Sequence, residues 1–214
     1  MNIRRTVSLA LVGAALTATA AAPITSAATP APAGSVLALL EADGTAFDGN
    51  WYDYDILEAA ARTVLAAKPG STVAALAAPN ANLTVFAPND RAFQVLTWSL
   101  TGKWYSTEAG VVKGLVGALG ANAVDTIEAV LLYHVHAGKI TAADAKAASG
   151  TSISTVLGPT IGVRYYPWLN LIVLKDKDPD AANPWVVNSK ANIFVGTNSV
   201  VHGISLVLRP VNLP

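Results

Sequence analysis

The 214-residue sequence contains no cysteine. This excludes a disulfide framework, thiolate metal sites, a cysteine nucleophile and lipid attachment through a thiol. Charge is also scarce. Asp, Glu, Lys and Arg make up 13% of the chain, and 14 basic residues balance 14 acidic ones. A face that binds nucleic acid needs a clustered basic excess, so no nucleic-acid partner is expected. There is no GxSxG elbow and no P-loop, and so no motif that nominates a serine nucleophile or a phosphate cradle. The chain is instead 52% hydrophobic, a composition that folds rather than staying disordered.

Residues 1–27 read as an export signal. Arg4 and Arg5 supply a positive start, residues 7–22 are uncharged and mostly Ala, Leu and Val, and Thr25-Ser26-Ala27 offers small residues for cleavage. The alternative, a membrane anchor, wants about 20 strongly apolar residues, and this run is short and rich in Ala and Thr. A twin-arginine reading of Arg4-Arg5 lacks persuasive flanking residues. Cleavage removes both arginines and leaves 12 basic against 14 acidic residues, a net charge of −2. Residues 28–34 (ATPAPAG) form a Pro/Ala linker, and 35–214 are expected to be one domain. A chain of that size buries roughly 70% of its surface, enough for a core without disulfides. No later segment is expected to insert stably in a membrane. The expected protein is soluble and secreted, either diffusing freely or held at the cell wall.

The first half of the domain reads helical. Ile56, Ala60 and Val64, flanked by Leu57, Ala61 and Leu65, make one apolar stripe over 55–68, closed by Pro69-Gly70. Residues 83–86 are a short apolar strand. Asn89 is a good N-cap for a helix whose Phe93, Leu96 and Leu100 share a face. Asn122 with Asp125 resembles a capping arrangement for a helix lined by Val124, Ile127 and Leu131. Gly114, Gly117 and Gly120 recur every third residue and suggest close helix packing or a loose helix. From Thr151 the period becomes two. Residues 169–174 are apolar on both faces, as in a central strand, and 192–197 with 200–208 look like a closing pair. This is an α+β domain, with helices on a curved, mostly antiparallel sheet.

Few residues suggest chemistry. His134-x-His136 places two rings on one side of a strand and could begin a zinc site, but no third ligand is marked. His202 shares a face with Val200 and Ile204, as a core histidine satisfied by hydrogen bonds does. Asp176, Asp178 and Asp180 alternate like a calcium loop, yet lack its glycine and its closing acid, so a solvated turn fits them better. No cofactor, metal site or catalytic residue is expected. Five tryptophans stand out. In loops they could stack on sugars or anchor a protein partner; in the core they would simply pack.

Three stretches together resemble the fasciclin domain family. Residues 82–93 (NLTVFAPNDRAF) are similar to its first signature, 131–138 (LLYHVHAG) to its tyrosine–histidine signature, and 198–210 (NSVVHGISLVLRP) to its closing one. They occur in the family's order. The resemblance implies a wedge of mostly antiparallel β-strands with packed α-helices. It also implies an extracellular adhesion or protein-interaction module without catalytic residues, in which Tyr133, His134, Asn198 and His202 maintain the fold. Ser199 stands where the family usually has Gly, Ser205 where it often has Asp, and His136 where an aliphatic residue is usual. Extra length lies around 99–120 and 165–187, so Trp98, Trp104, Tyr105, Trp168 and Trp185 are the candidate ligand-binding residues. The expected partner is an extracellular protein or cell-surface component. The alternative is a cell-envelope polysaccharide bound by the same aromatics.

Overall fold

The structure is a computed structural model that describes residues 30–42 and 44–212. The expected export signal, 1–27, and the first two linker residues lie outside the described residues. Ser35 caps α1 (Val36–Leu40) by accepting from the Ala38 amide at 3.1 Å. The stripe of alternating Ile, Ala and Val becomes α2 (Asp55–Ala67), which buries Ile56, Leu57, Ala61 and Val64. A six-residue 3₁₀ turn then leads to β1 (Leu83–Pro88).

Asn89 caps α3 (Asp90–Thr101) as expected, its side chain accepting from Ala92 N at 3.0 Å. Next come α4 (Glu108–Leu119) and α5 (Ala123–Tyr133). The expected cap at Asn122 does not form: its side chain makes no capping bond, and Asp125 pairs instead with the Lys68 ammonium. By length and mean hydropathy, 1.5, the stretch Glu108–Tyr133 is apolar enough to cross a membrane, which the sequence reading did not anticipate. Gly120, at φ +62°, divides it into two helices.

The second half supplies β2 (Val135–Ala137), α6 (Ala142–Ala147), β3 (Ser152–Ser154), β4 (Thr160–Tyr166), β5 (Leu171–Lys175), β6 (Ile193–Val195) and β7 (Ser199–Ile204). These strands form two sheets, ordered β2-β1-β7-β6 and β3-β4-β5. Four of the pairings are antiparallel, while β1 and β7 run parallel, with Thr84 opposite Val200 and Pro88 opposite Ile204. The apolar run 169–174 is therefore not a central strand. It becomes the last strand of the small sheet, and only isolated bridges from Trp185 and Val186 reach across to it and to β7.

β1 and β7 are buried along their whole length. Val85, Ala87 and Val201 face a core built with α1 to α5. Phe86 and Ile204 face a second core built with the small sheet and α6. Two-sided burial explains why these strands read as near-continuous apolar runs rather than alternating ones.

The glycine series in α4 has one packing member. A Cβ on Gly114 would stand 2.6 Å from the Tyr105 ring and 2.9 Å from Thr97 Cγ2, whereas one on Gly117 would meet nothing within 4 Å. Gly114→Ala is expected to destabilise the fold by about 1–3 kcal/mol through overpacking. Gly117→Ala should raise the melting temperature by about 2–4 °C, as alanine does in an open helix position. Thermal unfolding of both variants checks the pair.

Candidate functional site

Three of the four expected framework residues, Tyr133, His134 and His202, are held by hydrogen bonds to the main chain. His134 is not on a strand, as its spacing from His136 suggested; it caps α5 and is buried. Leu208 N donates to His134 Nε2 at 2.9 Å, so the proton sits on Nδ1, which donates to Val130 O at 2.7 Å. His202 has the opposite tautomer. Its Nδ1 accepts from Asn192 N at 3.2 Å, and its Nε2 donates to Ile140 O at 2.9 Å. Burial drives both pKa values down, that of His134 to about 4. The His202 ring stacks on Phe86, 5.9 Å between centroids. Tyr133 is fully buried, donates to Thr160 O at 3.2 Å, and is pushed up to about 12 by burial and by the Asp176 charge. Asn198 lies exposed in the turn before β7. His136 sits half-buried on β2 and bonds Ser154 O at 2.7 Å, separate from His134.

Two substitutions relative to the family pattern have local explanations. Ser199 Oγ donates to Ala81 O and accepts from Leu83 N at 3.3 Å, which adds side-chain bonds to the β1–β7 start. Ser205 clamps Trp185: its amide donates to Trp185 O at 3.0 Å, and its Oγ accepts from Trp185 N at 3.0 Å.

Of the three aspartates expected in a solvated turn, only Asp180 is exposed. Asp176 and Asp178 are buried. Asp176 accepts from Asp178 N at 3.0 Å and Arg209 N at 2.8 Å, and Asp178 binds Arg209 Nη1 at 3.0 Å. These acids are occupied in tying the loop to the C-terminal segment.

The candidate anchors divide. Trp98, Trp104, Trp168 and Trp185 are 51%, 51%, 77% and 42% exposed. Tyr105 is half-buried with its ring against Gly114, so it packs the helical core rather than offering itself to a ligand. Trp104 is covered on one face by the Arg91 guanidinium, 4.9 Å from the ring centroid. Arg91 is fixed by Gln94 at 2.7 Å, and Gln94 in turn donates to Tyr105 O at 2.6 Å. Trp98 borders a cleft of about 330 Å³ walled also by Val95, Leu206, Asp178 and Arg209. Trp168 tips the β4–β5 hairpin, edge-on to Tyr166. Nothing in the sequence singled out Arg91 or Arg209, because their roles depend on contacts across the fold.

A larger cavity of about 650 Å³ lies among α2 to α5. Leu96, Leu100, Val112, Leu115, Leu119 and Val130 line it, with His134 in its wall. Its chemistry suits apolar groups rather than polar catalysis.

Residues 60–210 match the family model of the fasciclin domain, and the chain belongs to that family. Its fold is similar to that of a FAS1 domain pair from the insect cell adhesion molecule fasciclin I. The TM-score is 0.53 at 15% identity, over 82% of this chain and 50% of that one. The chain thus spans half the length of that structure. No curated protein matches the sequence.

The tautomers give an acid-stability prediction. His134 is neutral in the folded state down to about pH 4, while the unfolded chain protonates it below about 6.5. The unfolded state binds more protons in that window, so stability is lost as pH falls from 6.5 toward 4. A His134→Gln variant lacks this loss. The gap in unfolding free energy between wild type and variant should therefore shrink by up to about 3 kcal/mol between pH 7 and pH 4. Urea titrations at several pH values measure it.

Proposed function

We propose that this chain is a secreted, non-catalytic interaction module. In this reading residues 1–27 direct export, 28–34 are a linker, and 35–214 are the binding domain. The partner is an extracellular protein or another cell-surface component. The observation that carries the reading is the exposure of the four tryptophans Trp98, Trp104, Trp168 and Trp185. Large aromatics left in water are the residue type that most often anchors a partner. The two on and after α3 lie beside fixed charges: Arg91 stacks on Trp104, and Arg209 and Asp178 wall the cleft at Trp98. Membership of the fasciclin family, and the likeness to a cell adhesion molecule, support the same reading.

A polysaccharide ligand is the second reading, favoured by the hairpin-tip Trp168, which is 77% exposed and free to stack on a sugar face. One experiment separates the two. The purified protein is incubated with intact cell envelopes before and after protease treatment. Retention that protease abolishes supports a protein partner. Retention that survives it supports a polysaccharide.

For a protein partner, the double variant Trp98→Ala/Trp104→Ala should lose most retention while keeping its melting temperature. His202→Leu should do the reverse, lowering stability by about 1–3 kcal/mol without changing the retention of folded protein. Loss of binding in His202→Leu at unchanged melting temperature overturns its assignment to the framework.

A further inference from the structure

Asp55, Asp90 and Glu108 are the first residues of α2, α3 and α4. Acids in a first helical turn are ordinarily accounted for by the helix dipole, and alone they indicate nothing more. Two observations go further here. Asp53, Asp90 and Glu108 converge from three separate segments, and one carboxylate oxygen from each lies within 4.8 Å of one from each of the others. All three are buried, at 6%, 0% and 2% exposure. Secondly, each aims an oxygen at a place where no donor among the described residues reaches it: Asp53 Oδ1, Asp90 Oδ2 and Glu108 Oε1.

The remaining oxygens of Asp90 and Glu108 are tethered by main-chain amides. Ile56 N donates to Asp90 Oδ1 at 2.9 Å, and Gly49 N donates to Glu108 Oε2 at 3.2 Å. Asp53 is fixed through its backbone, donating to Asn50 O at 3.3 Å and accepting from Asp90 N at 3.2 Å. Among the described residues no Lys, Arg or His forms an ion pair with any of the three. Arg91, next to Asp90 in sequence, turns to Trp104 instead. Clustered buried carboxylates need a compensating proton or cation, because desolvating charge without a partner is strongly unfavourable.

We propose that Asp53, Asp90 and Glu108 hold a calcium ion. The donor set is all hard oxygen, with no imidazole or thiolate, which suits Ca²⁺ or Mg²⁺ rather than a transition metal. Oxygens on opposite sides of Ca²⁺ stand about 4.6–5.2 Å apart, against about 4.2 Å around Mg²⁺. Carboxylate oxygens within 4.8 Å of one another admit either spacing; burial favours Ca²⁺, because Mg²⁺ gives up its waters reluctantly and is rarely held by an all-protein cage. Asp48 and Asp55 cluster with Asp53 in a second trio and add to the negative field. Asp48 is exposed and its Oδ1 already accepts from Asn50 N at 2.8 Å, so the ion sits at the buried trio. Bound there, it joins the loop before α2 to the first turns of α3 and α4. The competing state has no ion: one proton is shared between Asp90 and Asp53, in keeping with an Asp90 pKa raised to about 8 by burial and its neighbour.

Calcium and proton are separated by titration of the full chain after chelator treatment. Isothermal calorimetry with CaCl₂ should show one saturable site. The melting temperature should rise by about 5–10 °C at Ca²⁺ a hundredfold above Kd, with a smaller rise for MgCl₂. Glu108→Gln and Asp53→Asn should lose the rise, each compared with itself in EDTA, so that any change in their intrinsic stability cancels. Asp48→Asn should keep it. Equal melting temperatures in CaCl₂ and EDTA together with flat calorimetry overturn the proposal in favour of the shared proton. A rise that persists in both Glu108→Gln and Asp53→Asn overturns it in favour of binding elsewhere.

Discussion

His134 is the point at which three distant parts of the chain are joined. Its carbonyl accepts from Phe86 N at 2.9 Å, which fixes the end of α5 to β1. Its Nε2 accepts from Leu208 N at 2.9 Å, which fixes the C-terminal segment, and its Nδ1 proton returns to its own helix at Val130 O. A neutral imidazole can donate from one ring atom and accept at the other without carrying charge into the core. Lysine or arginine could only donate there, and an ionised carboxylate could only accept. Burial holds the pKa of His134 down to about 4, and the neutral form is the one that leaves Nε2 free to accept from the Leu208 amide.

The parallel pairing of β1 and β7 depends on the same arrangement. Two strands buried on both faces cannot reach water, so their neighbours must cover every polar group. The Thr84 hydroxyl bridges Gly138 O at 2.7 Å and Ile140 N at 2.8 Å. His202 then links Ile140 to Asn192, and Asn192 Oδ1 accepts from Ala142 N at 2.7 Å. The connecting segments on both sides of the main sheet are thus held by side chains of the central strands. This leaves α3, the α3–α4 loop and the β4–β5 hairpin free to carry exposed tryptophans without cost to the framework.

Much of that framework was legible in the sequence because its causes are local or periodic. The α2 stripe, the Asn89 cap, the closing β6–β7 pair and the three family signatures all depend on short-range spacing. The misreadings also have local causes. Asn122 and Asp125 have the spacing of a cap, but Lys68 on another helix claims Asp125. Residues 169–174 have the composition of a central strand, yet a sheet's edge is decided by which strands arrive, not by one strand's own residues. Asp176 and Asp178 carry charge and so read as solvated, and only Arg209 at the far end of the chain explains their burial.

The sequence by itself determined an α+β chain of the fasciclin family, and it singled out His134 and His202 as framework candidates and the tryptophans as the residues to watch. It could do so because hydrophobic period, capping chemistry and signature order are properties of neighbouring positions. Tertiary structure alone decided that Tyr105 packs inside while Trp98, Trp104, Trp168 and Trp185 face water. It alone opened an apolar cavity between α2 and α5, and brought Asp53, Asp90 and Glu108 within 4.8 Å of one another. Exposure, cavities and charge clusters are set by contacts between segments tens of residues apart, and the spacing of residues along one segment carries no record of them.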